Sequence, residues 1–425
     1  MKKFLSLVLA LVMTMSLVTV SAGAKDFTDS SKVEYKEAVD VVSAAGIVEG
    51  YENGAFNPQN TLTRGAAAKI ICNLILGTTT ASALRADTAP YSDVPTTNTF
   101  AGYIAYCQKE GIISGYADGT FRPAATLTGY AFMKMLLGAL GYDSDIEGYT
   151  GANWSIAVGK RALGIGLDDG NDNFVGVNAV TREEACLYAF NTLKATMVEY
   201  DAKTTVSVEG AQVTVGGSEA KNVSQDGYKS YTGDSDDTTL EFCEKNFDKL
   251  KAKDDTNGFD APATKWTYDG DEIGTYDKDA DATLVVADAE KSLETLITDG
   301  DYMDISSKDI DADAKVFFNG LDLGKYSAVK GDDDLAGKGD IIDVYENDDN
   351  DVETIVIRSY TYAKIDAVDD DLSTTLKNRD ASVELSLVDI NGDSLGNGDY
   401  YDDYNSDEKV LNGYNADYEE GTVLA

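Results

Sequence analysis

Histidine is absent from the 425-residue chain. Without imidazole, Ser-His-Asp and Cys-His catalysis and every zinc site that uses histidine are excluded, whereas chemistry by paired carboxylates, such as glycoside hydrolysis, is not. Positive charge is scarce as well: 35 lysines and arginines stand against 75 aspartates and glutamates, giving a formal charge of −40. A field of that sign repels phosphate backbones and disfavours nucleic acid as a partner. It suits solubility at a salty surface, or diffuse gathering of cations such as calcium, which prefers oxygen ligands. Only four cysteines occur, Cys72, Cys107, Cys186 and Cys243, at no metal-motif spacing. The first three lie within helical apolar patterns, which predicts buried free thiols rather than bridges.

Long apolar runs are missing too, apart from one at the start. Lys2 and Lys3 precede the run from Phe4 to Val20, and Ala22-Gly23-Ala24 follows with the small residues that signal peptidase requires. A membrane span needs about 20 apolar residues and this run is shorter, so residues 1–24 are expected to be a cleaved signal peptide. The mature chain, with no later segment apolar enough to cross a membrane, is expected outside the cytoplasmic membrane. Its length allows two to four domains of about 100 to 200 residues each.

What the chain does contain is a repeat with a fixed register. Gly46 to Thr63 (GIVEGYENGAFNPQNTLT), Gly111 to Thr128 (GIISGYADGTFRPAATLT) and Gly164 to Thr181 (GIGLDDGNDNFVGVNAVT) align without gaps, and Phe56, Phe121 and Phe174 fall at the same internal place. Each segment separates two helical patterns. Ala38, Val42 and Ala45 precede the first loop at helical spacing, and Ala67, Ile70, Ile71, Leu74 and Ile75 make an apolar face after it. Thr63, Thr128 and Thr181 are the expected N-caps of the second helices, with Glu184 completing a capping box in repeat three. Asn53-Gly54 and Asp118-Gly119 supply turn chemistry that tolerates positive φ. One such unit cannot bury its own faces, so the three are expected to pack together.

Phe27-Thr28-Asp29, GIVEGYENGAFNP and Leu62-Thr63-Arg64-Gly65 together resemble the S-layer homology repeat, whose ends carry F-x-D and T-R-A-E motifs. Tyr91-Ser92-Asp93 with Leu127-Thr128-Gly129-Tyr130, and Val180-Thr181-Arg182-Glu183-Glu184, repeat parts of the pattern. The resemblance covers residues 27 to about 198. It implies a pseudo-threefold bundle whose grooves bind secondary cell-wall polysaccharide or another peptidoglycan-linked glycan, often carrying ketal-linked pyruvate. A pyruvate carboxylate suits an arginine at a helix N-terminus. On this resemblance Arg64 and Arg182 are the foremost binding residues. Asp29 and Asp93 would take sugar hydroxyls or cap the first helices, and Gly50 and Gly115 would line the groove with backbone. Repeat two has Gly129 where the arginine belongs, repeat one has Ala66 in place of the glutamate, and repeat three lacks the opening aspartate, so at least one groove is expected to be inactive.

After about Tyr200 the pattern turns to short alternating runs. Val206-Ser207-Val208, Val213-Thr214-Val215, Trp266-Thr267-Tyr268 and Val352 to Ile357 read as strands, and a helix is expected from about Leu240 to Leu250. The acidic clusters Asp168 to Asn173, Asp348 to Asp351 and Asp389 to Asp393 invite calcium, yet none fits the EF-hand loop, so no cofactor is assigned. The expected fold class is α+β multidomain: an N-terminal all-α pseudo-threefold bundle followed by small β-rich domains. The expected boundaries are 25–85, 86–147 and 148–200 for the repeats, 201–300 for a small α+β or hairpin module, and 301–425 for an acidic β-rich domain that need not end at Ala425. The expected function is non-enzymatic, a secreted wall-anchored structural or adhesive protein that can self-associate in a surface lattice. The alternative is an anchored hydrolase working through paired carboxylates, for which the region after Tyr200 is short of a (β/α)₈ barrel of about 250 residues.

Overall fold

The computed structural model describes residues 27–201, 217, 219–287, 290–347 and 349–359, together with the backbone of 204–208, 211–215, 362–369, 382–388 and 423–424. The expected signal peptide and the Asp389 to Asp393 cluster lie outside these residues. The described chain is α+β, helical through residue 194 and then built mainly of β-sheets. Two compact units divide it: residues up to 255 with 264–276, and residues 256–263 with 277 onward.

The first unit opens with six helices in three pairs. Helices α1 (Lys36–Ala44), α3 (Ala101–Lys109) and α5 (Trp154–Gly164) precede the three loops, and α2 (Arg64–Ser82), α4 (Gly129–Leu140) and α6 (Arg182–Lys194) follow them. Their apolar stripes are buried as the spacing predicts: Val41 and Val42 on α1, Ala67, Ile71 and Leu74 on α2, and Phe132, Leu136 and Leu140 on α4. Gly77, at φ 71° and ψ 156°, interrupts α2, and Gly141 in the left-handed region ends α4.

Packing joins one repeat to the next. Helix α2 pairs with α3, α4 with α5, and α1 with α6, so the first helix of the chain meets the last of the series. At the centre a ring of backbone hydrogen bonds closes on itself: Leu62 N–H donates to Val180 O (2.8 Å), Val180 N–H to Leu127 O (2.9 Å), and Leu127 N–H to Leu62 O (3.0 Å). Equivalent residues of the three repeats thus satisfy one another's backbone groups in a buried position. All four cysteines are buried and free, with Cys72 and Cys107 Sγ atoms 3.6 Å apart between α2 and α3.

The core of this unit does not stop at residue 200. It runs on through Leu240, Phe242, Phe247, Leu250, Trp266, Ile273 and Tyr276. Helix α7 covers only Phe242–Asn246, shorter than expected because Phe247 leaves helical geometry and Leu250 begins a strand. Strands β1 (Val198–Tyr200) and β4 (Ala220–Asn222) pair, as do β2 (Thr204–Val208) and β3 (Ala211–Val215) in the expected hairpin. Strands β5 (Leu250–Thr256), β6 (Pro262–Tyr268) and β7 (Asp271–Asp277) form a meander. Trp266 is 2% exposed and packs edge-on against Phe190 and parallel to Tyr231. Its indole N–H donates to Glu37 (2.6 Å), and the Tyr276 hydroxyl donates to Asp40 (2.8 Å), so the amphipathic rings seal the helices with their polar ends partnered.

The second unit holds a five-stranded mixed sheet in the order β10 (Leu321–Lys325), β9 (Ile310–Phe318), β12 (Val352–Arg358), β11 (Ile341–Glu346), β8 (Ala282–Val285). Only the β9 and β12 pair is parallel, and β12 is buried along nearly its whole length, as a central strand covered on both faces must be. Helix α8 (Leu293–Thr298), capped by Ser292, contributes Leu293, Leu296 and Ile297 to a core with Val316, Ile342, Val344 and Ile355. A further sheet pairs β13 (Tyr362–Asp369) with β14 (Ser382–Val388) and β15 (Val423–Leu424).

Candidate functional site

Each second helix begins two residues after the central ring, with its cap threonine between them. Thr63, Thr128 and Thr181 accept from the backbone N–H of Ala66, Ala131 and Glu184, and the Glu184 carboxylate returns a bond to Thr181 N–H at 2.7 Å. These caps satisfy orphan helix donors and fix the direction in which the next side chain leaves the helix.

That next side chain is Arg64, Gly129 or Arg182. The Arg64 guanidinium donates from Nε to Phe121 O (2.8 Å) and from Nη2 to Ser114 O (3.1 Å). Its carbon centre lies 4.3 Å from the Phe121 ring centroid and 5.1 Å from that of Tyr116. Arg182 repeats the arrangement on the first loop, donating to Phe56 O (3.0 Å) and Glu49 O (2.9 Å) over the Tyr51 and Phe56 rings. Carbonyl oxygens and ring faces hold each planar cation in place. Among the described residues, two of the five N–H groups of each guanidinium donate to these carbonyls. Burial lowers the Arg64 pKa from 12.5, yet a guanidinium remains charged at any physiological pH.

The opening motif supports the loop beneath each arginine. Asp29 accepts from Phe56 N–H (2.7 Å) and Asn57 N–H (2.8 Å), and Asp93 from Phe121 and Arg122 N–H, both at 2.7 Å. Asn57 and Arg122 sit at positive φ, 55° and 58°, so each carboxylate stabilises a backbone shape that side chains disfavour. Burial acts to raise the two aspartate pKa values, but the backbone donors outweigh it and hold both below 3.8. Asp29 makes no side-chain cap bond, and α3 is preceded by Phe100 rather than Asp93, which corrects the reading of these aspartates as helix caps. Gly50 and Gly115 likewise serve packing: a Cβ there would lie 2.6 Å from the Phe27 ring and 2.3 Å from the Tyr91 ring.

Lys134 was not among the residues that the motif reading singled out. Its ammonium donates to Tyr149 O at 2.7 Å and lies 5.9 Å from the Trp154 ring centroid, and burial pulls its pKa below 10.5. Arg64, Tyr116, Lys134, Tyr149 and Trp154 line a cavity of about 360 Å³ whose only charged lining residues are the two cations. In a chain of net charge −40 this is a local inversion of sign. The repeat register contained the signal, because Lys134 follows Gly129 by the same interval that separates Lys69 from Arg64.

The same register shows that the equivalent positions of the three repeats differ. Beside Arg182 the equivalent lysine is Lys69, but it pairs with Glu49 at 3.1 Å, which offsets part of the positive charge. The third pair of equivalent positions has Gly129 and Leu187 where the others have arginine and lysine. There Tyr130 packs edge-on against Phe174, and a Cβ on Gly129 would stand 2.9 Å from the Phe174 ring. Glu183, one residue after Arg182 and 1% exposed, accepts from Glu34 N–H (2.8 Å) and from the Gln59 amide. It ties repeat three to repeat one.

The family model of the S-layer homology domain matches residues 26–68 and 90–129. Two of the three repeats fall in these matches, and the third, 148–200, does not. The chain is 31% identical over 150 residues to a surface layer protein of Brevibacillus choshinensis, covering 35% of this chain and 13% of that protein. It is 26% identical over 205 residues to a middle cell wall protein of Brevibacillus brevis, 47% of this chain and 19% of that one. It is 34% identical over 84 residues to a cellulosome-anchoring protein of Acetivibrio thermocellus, 20% of this chain and 19% of that protein. The chain therefore spans less than a fifth of the length of each. Among the described residues no helix is long and apolar enough to cross a membrane.

Proposed function

Because the chain is a secreted, cell-wall-associated protein that carries S-layer homology domains, we propose that its helical unit is a pseudo-threefold anchor for an anionic wall glycan and that its grooves contribute unequally. The observation that carries this reading is the cavity holding Arg64 and Lys134 without a carboxylate in its lining. A ketal-linked pyruvate on a secondary cell-wall polysaccharide presents one carboxylate on a sugar ring. The cations would take the carboxylate through charge-assisted hydrogen bonds, and Tyr116 and Trp154 would face the apolar side of the ring. Arg182 with Lys69 forms a second, weaker groove, and the Gly129 groove is inactive. Asp29, Asp93, Gly50 and Gly115 act by shaping the loops rather than by touching the glycan.

The β-rich second unit is read as a structural or adhesive surface module, and regular arrays in electron micrographs of the reassembled protein would support a lattice. The alternative of a wall hydrolase working through paired carboxylates gains no support from a cavity lined by cations. Co-sedimentation with purified walls tests the anchor. Binding should fall when mild acid removes ketal pyruvate from the walls, and binding that is unchanged would overturn the carboxylate reading.

A further inference from the structure

Three carboxylates gather at a second place in the helical unit, away from the grooves. Asp237, Glu241 and Glu244 each offer an oxygen within 4.8 Å of the other two. Glu241 is 8% exposed and Glu244 2%. No lysine or arginine pairs with any of the three among the described residues, where the neighbouring ion pairs involve other acids. Burying several anions together without a counter-charge is unfavourable.

The partners of these oxygens are uneven. Glu241 Oε1 accepts from the Thr239 hydroxyl (3.0 Å) and the Thr196 hydroxyl (3.4 Å), whereas Glu241 Oε2 is buried with no hydrogen-bond partner. Glu244 accepts from Tyr231 N–H (2.9 Å) and Glu241 N–H (3.2 Å). The Gln225 amide nitrogen lies 3.2 Å from both Glu244 oxygens and 3.3 Å from Asp237. Burial, with Asp237 and Glu244 adding to it, pushes the Glu241 carboxyl up to about 8.

We propose that Asp237, Glu241 and Glu244 form a binding site for one hard divalent cation, and that calcium is the ion it takes. The donor set is all oxygen, which excludes the soft metals that favour thiolate or imidazole. An ion among the three neutralises their repulsion and gives the orphaned Glu241 oxygen a ligand bond. Gln225 carries a carbonyl oxygen on the same amide, so a half-turn of that group supplies a fourth oxygen in place of the N–H contacts. Water completes the shell, as it does in many calcium sites.

The location gives the ion a structural task. The stretch that bears the ligands is sewn to the chain leaving α6, by Met197 N–H to Leu240 O (2.8 Å) and Phe242 N–H to Ala195 O (3.0 Å). Bound calcium would therefore stiffen the stretch 225–244, which these backbone bonds fasten to the end of the last helix of the anchor. None of this depends on the glycan reading.

The test uses the whole mature chain stripped with chelator, with thermal unfolding followed across a calcium titration and a magnesium titration at matched ionic strength. The proposal expects a saturable rise in midpoint with calcium that magnesium does not reproduce. Glu241→Gln and Asp237→Asn should each weaken the apparent affinity about tenfold or more, while Asp333→Asn, an exposed acid elsewhere, should leave it unchanged. Glu241→Gln nearly preserves shape, and should it fail to fold, the partly exposed Asp237→Asn carries the test alone. A midpoint insensitive to calcium, an equal effect of magnesium, or a calcium effect undiminished in the folded variants would each overturn the site.

Discussion

Arg182 donates to the carbonyl of Phe56, 126 residues earlier in the chain, at 3.0 Å. Arg64 makes the same bond to Phe121, 57 residues later, at 2.8 Å. One interaction is thus made twice at equivalent places, once forward along the chain and once back across its closure. In both, the arginine holds the loop of the adjoining repeat and presents its remaining donors beside that loop. The third equivalent position lacks the side chain, and the space it would need is filled by Phe174 and Tyr130.

Restoring the motif there should therefore fail. Gly129→Arg places a Cβ against Phe174 and the backbone of Gly176, at 2.9 and 3.2 Å, in a groove that still lacks a lysine. The expected outcome is a lower unfolding midpoint, with a cost of about 1–3 kcal/mol from overpacking, and no gain in wall binding by co-sedimentation.

Gly115→Ala tests the packing role assigned to that glycine. The new methyl would meet the Tyr91 ring at 2.3 Å and Thr120 O at 2.9 Å, so Tyr91 must shift and loosen the loop beneath Arg64. Denaturant unfolding should show a loss of about 1–3 kcal/mol, and an unchanged midpoint would contradict the role.

The loop aspartates set a pH dependence. Their folded pKa values lie below the ordinary 3.8, so the stability they confer is complete above the unfolded value and is lost as pH falls through the folded one. Asp29→Asn and Asp93→Asn should destabilise the protein at neutral pH and flatten the decline of stability below about pH 4. Unfolding midpoints measured from pH 7 downward check the sign.

Trp266→Ala should destabilise the helical repeats although it lies far outside them in sequence. The indole is 2% exposed, covers Phe190 and bonds Glu37, so its removal is expected to cost about 3–5 kcal/mol. Helical ellipticity and Trp154 fluorescence should then report one transition at lower temperature.

What could be read in the sequence were the features that are local or periodic. The cap threonines bond residues three positions away, and the apolar stripes of α1, α2 and α4 repeat within single helices, so spacing alone revealed them. The shared Gly-to-Thr interval placed Arg64 and Arg182 at equivalent positions. It did not reveal their carbonyl partners, which lie in other repeats, nor the reason for Asp29 and Asp93, whose donors are backbone groups 27 to 29 residues on. Lys134 escaped because its neighbours Tyr149 and Trp154 come from the next repeat. The extent of the first unit escaped for a similar reason: the shift to strands near Tyr200 marks a change of secondary structure, while the core continues to Tyr276.

The central claim is that the cationic pair Arg64 and Lys134 does most of the gripping. Calorimetric titration of the mature protein with soluble wall-glycan fragments bearing ketal pyruvate measures this most directly. Arg64→Ala with Lys134→Ala should weaken binding by about a hundredfold or more, since each of the two lost charge-assisted bonds is worth about 1.5–3 kcal/mol, and Arg182→Ala should weaken it less. Undiminished affinity in the folded Arg64→Ala, Lys134→Ala protein would contradict the account.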